Sequence, residues 1–445
     1  MTAAVPSLGL RVVRSSAITV LGFGAAQAIR LLSNLLLTRL LFPEAFGMMA
    51  LVSVFIMGLA MVSDLGFGPA IMGSRRGDDP PFLDTAWTLS ILRGLVLWPV
   101  AAAAAWPMAL FYGEPALAWY LPVAALSLIV SGFNPTRVET QNRHLRAGLV
   151  TLTELGAQGL GAAVTLLLAW WWRDVWALVV SGVLSALITC LAYHAVLPGH
   201  RERPRIEREA ARELLRFGLW ILLATLCGFL IGQADKAILG RLLDLDHFGL
   251  YNIAFFLASF PLMLGGVVAR RVLIPVYRDS PPAASPANLA RVRRLRGGAL
   301  LVLLAGAGLL AFLGVPLVAL LYDPRYQGAG AIVALVAAMQ GPALLILSCD
   351  QAALAHGDSR RFFRLTLARA LLVVAGILVG WQMGGLAGAI AGQAAANLLA
   401  YPVLAWLLRP HGDWDPLLDA GFLAAWAALA AAALWWNAAA VAAMP

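Results

Sequence analysis

The chain has 445 residues, of which 61% are hydrophobic and only 12% charged, and its mean hydropathy is +0.82. A water-soluble domain keeps about a quarter of its residues charged, so this surface is not built to face water on all sides. The net charge of +9 and pI near 10.1 would suit an acidic partner, but the distribution of the arginines, set out below, points to membrane topology and away from nucleic acid.

Apolar blocks recur along the whole chain, each long enough to cross about 30 Å of hydrocarbon as a helix that satisfies its own backbone hydrogen bonds. They fall at about 17–41, 47–72, 86–111, 117–133, 149–172, 175–197, 217–241, 248–272, 297–321, 329–355, 363–382, 385–408 and 419–443. Alternating ten-residue strands are absent, which argues against a β-barrel. Arg11 and Arg14 precede the first block, but that block contains Gln27, Arg30 and Asn34 and reads as a retained span instead of a cleaved leader. Cys190, Cys227 and Cys349 all lie inside apolar blocks and are expected to be small packing residues. Trp170, Trp171, Trp172 and Trp176 cluster at one block boundary and Trp381 at another, as in an interfacial belt. The longest breaks are 198–216, which reads as a surface helix joining two halves, and 273–296, whose Ser280-Pro281-Pro282-Ala283-Ala284-Ser285-Pro286 looks disordered. The last block reads as a thirteenth span, with a short re-entrant or interfacial helix as the alternative.

Placing the breaks alternately on two sides puts twenty-five arginines on one side and four (Arg39, Arg173, Arg241, Arg325) on the other, leaving Arg30, Arg93 and Lys236 within spans. The positive-inside rule then makes the N-terminus and the Arg-rich loops cytoplasmic, with anionic lipid headgroups as neighbours.

A shift of 202 residues lays Leu37–Gly47 over Leu239–Gly249 with six of eleven positions identical: Leu37, Arg39, Leu40, Leu41, Phe46 and Gly47. Span 1 then matches span 7, and six spans per half make the halves parallel repeats. The expected organisation is an N-lobe at 1–197, a cytoplasmic linker at 198–216, a C-lobe at 217–408 and an extra C-terminal helix at 409–445. Transporters use such repeats to rock two lobes around a central site.

The run Gly232-Gln233-Ala234-Asp235-Lys236-Ala237-Ile238-Leu239-Gly240-Arg241-Leu242-Leu243 and the following Phe248-Gly249-Leu250-Tyr251-Asn252-Ile253-Ala254 resemble the seventh and eighth spans of polysaccharide transporters. Pro261 and Arg271-Val272-Leu273-Ile274-Pro275 continue the pattern, and Phe46-Gly47 with Ser63-Asp64-Leu65-Gly66-Phe67-Gly68-Pro69-Ala70 resembles the same family's second span. The family is that of the Wzx-type flippases of the multidrug/oligosaccharidyl-lipid/polysaccharide (MOP) superfamily. The resemblance implies an all-α, polytopic inner-membrane protein. It further implies two parallel six-helix lobes that move a polyprenyl-diphosphate-linked oligosaccharide between leaflets by alternating access, with an ion gradient or membrane potential as the driving force.

An ionisable group at bilayer depth is costly and faces a cavity or a partner. Gln27, Arg30 and Asn34 share one helical face, and a fixed guanidinium at Arg30 suits a diphosphate; structural pairing with a neighbouring helix is the alternative. Lys236, the only lysine, superposes on Asn34 under the repeat. Either Asp235 and Lys236 form a local or interhelical ion pair, which the angle of about 100° between helix neighbours disfavours as a mutual bridge, or Lys236 is the candidate substrate contact and Asp235 the candidate proton carrier. Asp64 is a candidate gate or coupling carboxylate, with a packing bond to Arg30 or Arg93 as its structural alternative. Arg93, Arg270 and Arg271 are placed to guide the pyrophosphate inward, though positive-inside anchoring explains the last two nearly as well. Glu154 and Asp350 lie deeper than loops require and have no evident partner.

No P-loop, metal-spaced His/Cys cluster or nucleophile elbow is present, and the histidines (His144, His194, His200 and His356 among them) scatter near loop edges. No cofactor, metal or enzymatic activity is expected. A drug/cation antiporter of the same fold would line its cleft with acids and aromatics, and an O-antigen polymerase or ligase would need a large external loop. The expected partners are the lipid-linked oligosaccharide, the bilayer, and the glycosyltransferases and polysaccharide polymerase that make and use it.

Overall fold

The computed structural model describes residues 8–144, 146–350, 352 and 358–444, with side chains from 21 onward except at 217–221 and 359. Arg11, Arg14 and His356 therefore lie outside the described side chains. Every regular element among the described residues is helical, and the chain divides into two compact units, Met1–Leu226 and Cys227–Pro445.

In the first unit the helices are α1 (Leu8–Leu40), α2 (Pro43–Val62), α3 (Phe67–Gly73), α4 (Pro80–Tyr112), α5 (Leu117–Ala124), α6 (Leu126–Gly132), α7 (Arg137–Arg143), α8 (Ala147–Trp172) and α9 (Val175–Val196). Their ends follow local rules. Pro80 opens α4, where its missing N–H costs nothing, and Gly113 closes it in the left-handed region at φ 76°. Asp174 caps α9 by accepting from Trp176 N at 3.2 Å. The helices α4 and α6 meet backbone to backbone. A Cβ on Gly94 would stand 2.7 Å from Leu128 O, and one on Gly132 2.7 Å from Ser90 O, the close approach that small residues allow inside a membrane.

The boundary between units falls inside α10 (Arg208–Leu242), whose first turns are the second half of the surface helix expected at 198–216; the first half is not helical. Residues 197–207 are extended instead. Pro198, Gly199 and Pro204 disfavour a helix there, and the start of α4 supplies partners for the backbone. Asp84 accepts from Arg203 N at 2.9 Å and pairs with His200 Nε2 at 2.7 Å, while the hydroxyls of Thr88 and Thr85 accept from Arg205 N and Glu207 N. Glu202 receives the amide and hydroxyl of Thr136, and Arg137, buried, donates to the carbonyls of His194, Leu197 and His200. Arg76 bridges Asp79 and Glu207, which pushes its guanidinium above its ordinary range, and a hydrogen bond from His144 holds the nearby Asp78 carboxyl below its own. Ala210 and Leu214 then bury fully against Phe67 and Phe82. The segment is a strap tied to the first unit. Asp84→Ala strands two donors at once and is expected to cost about 1–3 kcal/mol. Protease nicking between Pro198 and Glu207 should accelerate in the purified variant; a cleavage rate equal to wild type would show that Asp84 does not hold the strap.

In the second unit α10 is followed by α11 (Leu245–Ala258), α12 (Phe260–Val268), a π turn at Ala269–Leu273, α13 (Ile274–Asp279), α14 (Pro286–Leu321), α15 (Ala329–Met339), α16 (Gly341–Leu347), α17 (Ser359–Leu408), α18 (Pro416–Trp436) and α19 (Ala438–Ala442). The helix break after Leu40 recurs after Leu242, at the offset of the sequence repeat. A bend of 54° between α6 and α7 has a counterpart of 46° between α15 and α16. The proline-rich stretch 280–286 is a folded turn. Ser280 is buried, Asn288 Nδ2 donates to Pro281 O at 3.2 Å, and Ser285 Oγ caps α14; short polar side chains bonding nearby backbone make such turns specific.

Ten helices among the described residues are long and apolar enough to cross a membrane, twelve if each of two bent pairs is one span. Within one of them α17 turns back at Gly384 and Gly385, whose backbone is not helical, so counting its two arms separately adds another. The last block forms the 21-residue α18, packed along α14 and α15. Trp426 Nε1 donates to Ala338 O at 2.8 Å, and the fully buried Arg296 of α14 pairs at 2.6 Å with Asp419, itself fully buried. Arg296 is thus an anchor in the core and not a loop arginine, a distinction that charge counting along the chain does not make.

Candidate functional site

Among the described residues, each unit holds a cavity with polar side chains in its lining. The first, about 290 Å³, is lined by Asp64, Ser90, Arg93, Asn134, Glu139 and Tyr193 among others. Asp64 sits in the non-helical turn between α2 and α3, where Gly66 takes the left-handed conformation at φ 62° and donates its N–H to Asp64 Oδ1 at 2.9 Å. Arg93 reaches from α4 to the end of α2, donating to Ser63 Oγ at 3.0 Å and Ala60 O at 2.7 Å, where a cation meets the free carbonyls and the negative end of the helix dipole. Asp64 and Arg93 therefore share one chamber, each held by local bonds. Asn134 Oδ1 is buried with no hydrogen-bond partner, and Tyr193 donates to Glu154 at 3.0 Å, which gives Glu154 a partner.

The second cavity, about 210 Å³, is lined by Phe255, Gln340, Arg369, Gln393 and Asn397 among others. It lies by the junction of α11 and α12 at Ser259 and the 46° bend at Gln340 between α15 and α16. Arg369 Nε donates to Asn397 Oδ1 at 2.8 Å, and Nη1 lies 3.9 Å from Asp350, so Asp350 too has a partner. Beside this cavity the neighbours Asp235 and Lys236 diverge. Asp235 is 2% exposed and accepts from Tyr251 Oη at 2.6 Å, leaving Oδ1 without a hydrogen-bond partner. Lys236 Nζ donates to Gln233 Oε1 at 3.3 Å and stands 5.1 Å from the centroid of the Phe255 ring, a cation–π distance.

Of the remaining candidates on α1, Arg30 is exposed, Gln27 buried and Asn34 half-buried. Arg270 and Arg271 are exposed together in the π turn, a local widening of the helix often found at working sites. An arginine left open midway along an apolar helix costs about 2.5–3.5 kcal/mol if it faces lipid, so Arg30 requires water or an anion beside it.

Glu139, Asn134, Tyr251, Gln340, Arg369 and Asn397 went unmarked in the sequence. Arg369 counted there as a loop arginine, yet it lines a cavity from within α17. The available signal was Gln393 and Asn397, one turn apart in an otherwise apolar run.

A family model described as "Polysaccharide biosynthesis protein" matches residues 36–329. The chain is 24% identical over 247 residues to the succinoglycan biosynthesis transport protein ExoT of Rhizobium meliloti (strain 1021), covering 54% of this chain and 49% of that protein. It is 25% identical over 252 residues to the amylovoran biosynthesis protein AmsL of Erwinia amylovora, covering 56% and 63%. The chain thus spans about half the length of the curated relatives it matches. Among solved structures, the lipid II flippase MurJ in an inward closed conformation superposes with TM-score 0.70 at 11% identity, over 95% of this chain and 91% of that one. An inward-facing multidrug resistance transporter of the MATE family of the MOP superfamily gives 0.64 at 17% identity, over 87% and 94%. At these identities the likeness shows the fold, that of the MOP-type multi-pass membrane transporters.

Proposed function

We propose, since the chain belongs to the family of polysaccharide biosynthesis proteins, that it is a flippase carrying a polyprenyl-diphosphate-linked oligosaccharide across the inner membrane by alternating access. The observation that carries this is Arg30, exposed within the 33-residue helix α1. A diphosphate supplies what such a side chain needs, two acceptor edges for a bidentate guanidinium and the opposite charge. On α1 the half-buried Asn34 is a further contact and the buried Gln27 backs that part of the helix; Lys236 is the second unit's own candidate contact, and Arg93, Arg270 and Arg271 draw the headgroup in from an N-in, Arg-rich cytoplasmic face. Asp64 and Asp235 carry the coupling ion or gate, since a carboxyl at bilayer depth can change its charge during the cycle while an arginine cannot. Two parallel six-helix lobes rock about the substrate, and glycosyltransferases and a polymerase act before and after it. The names of the relatives support the same role.

Arg30→Ala and Lys236→Ala should each leave the protein in the membrane at wild-type level and reduce surface polysaccharide at least tenfold, the loss of one charge-assisted contact of about 1.5–3 kcal/mol. Full polymer display by both variants would remove these residues from the mechanism. A deletion strain with normal polymer but new sensitivity to cationic dyes would point instead to an antiporter.

A further inference from the structure

The cavity of the second unit has a chemistry of its own. Gln340 is 5% exposed and forms part of its wall. Its Nε2 donates to Ala258 O at 2.7 Å, which fixes the orientation of the amide, and its Oε1 is left buried without any hydrogen-bond partner in the protein. A buried acceptor of this kind costs about 1–3 kcal/mol, and it stands in the same wall as the Arg369 guanidinium and the half-buried amide of Gln393. The rest of the lining is apolar: Phe255, Leu262, Met339, Val373 and Ile390.

We infer that this pocket is a subsite for a single pyranose ring of the transported saccharide, an assignment that rests on the flippase reading above. A phosphate or diphosphate oxyanion only accepts hydrogen bonds, so it would satisfy Arg369 and leave Gln340 Oε1 facing like charge. An organic cation would satisfy Gln340 and meet the charge of Arg369. A polyol does both: one hydroxyl donates to Gln340 Oε1, others accept from Arg369 and exchange with the Gln393 amide, and the C–H face of the ring lies on the apolar wall. Size sets the number of rings. At about 210 Å³ the cavity is below the ~300 Å³ at which pockets for drug-sized ligands begin, enough for one ring and too small for an oligosaccharide. The position suits a transporter subsite, because the chamber lies at the 46° bend between α15 and α16.

The test uses full-length protein in lipid nanodiscs, titrated with methyl α-D-glucopyranoside, methyl α-D-galactopyranoside and methyl α-D-mannopyranoside, with inorganic pyrophosphate and tetraphenylphosphonium as the anionic and cationic comparisons. Saturation-transfer NMR reports contact and calorimetry the affinity. At least one glycoside should bind, and Gln340→Met, which keeps the shape but removes the acceptor, should weaken it roughly tenfold. Gln393→Met, on the half-buried wall, should weaken it as well, and Ala343→Phe should fill the chamber and abolish binding; a thermal melt confirms that each variant is folded. The assignment is overturned if no glycoside binds above empty nanodiscs, if binding ignores all three variants, or if pyrophosphate displaces the glycoside. In proteoliposomes, flipping of a polyprenyl diphosphate bearing one hexose separates the two levels. Loss with Arg30→Ala but wild-type flipping with Gln340→Met sinks the subsite alone, whereas wild-type flipping in both sinks the flippase mechanism beneath it.

Discussion

Asp419→Ala is expected to destabilise the second unit by about 3–5 kcal/mol, the usual cost of removing one partner of a buried ion pair. Arg296 is 1% exposed and Asp419 0%, so water cannot take over the vacated contact. Both partners are tied in further: Arg296 donates to Asp419 at 2.6 Å, to Ser348 at 2.9 Å and to Cys349 Sγ at 3.3 Å, while Tyr401 Oη donates to Asp419 Oδ2 at 2.9 Å. The variant leaves a guanidinium in a dry contact between α14 and α18. The double substitution Arg296→Met with Asp419→Leu should recover most of the loss, because it removes both charges together. Thermal unfolding in detergent gives the stability, and maleimide labelling of Cys349, buried at this contact, reports whether α18 has come away. A single variant that melts within about 1 kcal/mol of wild type and keeps Cys349 protected would mean that the pair does not anchor α18.

The second large effect lies in the hairpin of α17. A Cβ on Gly380 would stand 2.1 Å from Gly388 O, one on Gly388 2.0 Å from Gly380 O, and one on Gly392 2.0 Å from Gly376 O. These neighbours are backbone and cannot swing aside, so Gly380→Ala is expected to cost about 1–3 kcal/mol as overpacking, and Gly380→Leu more. The consequence reaches the site, because the two arms carry Arg369 on one side and Gln393 and Asn397 on the other, joined by the 2.8 Å bond from Arg369 to Asn397. Forcing the arms apart should lower the yield of monodisperse protein and loosen the cavity of the second unit. Gly384→Ala is the control: nothing lies within 4 Å of its Cβ and its φ of −162° is ordinary extended backbone. Equal yields from Gly380→Leu and Gly384→Ala would show that the glycine contact does not hold the hairpin.

The spans could be read from the chain because a membrane helix closes its backbone hydrogen bonds within itself. Hydropathy and length alone then locate it, and each apolar block has a helix. The repeat was equally visible, since Leu37–Gly47 and Leu239–Gly249 mark helix breaks at equivalent places. Asp64, Arg93, Asp235 and Lys236 stood out as charges in apolar surroundings; the structure sets Asp64 and Arg93 in the first cavity, while Asp235 is buried against Tyr251 and Lys236 stands over the Phe255 ring. The surface helix expected at 198–216 begins only at Arg208; before it, Glu202 accepts from Thr136 and Glu207 from Arg76, tertiary partners that hold the strap out of a helix.

By itself, then, the sequence determined the all-helical multi-pass class and the family. These depend on local composition, on self-contained backbone bonding and on short motifs. Only the tertiary structure decided which arginines are structural and which are open: Arg137 and Arg296 are buried anchors, Arg369 lines a chamber, and Arg30, Arg270 and Arg271 are exposed. The physical reason is that a buried charge is settled by whichever group folding brings against it. Arg296 finds Asp419 123 residues away, and Arg137 finds the strap carbonyls some 60 residues on. No window along the chain contains both members of such a pair.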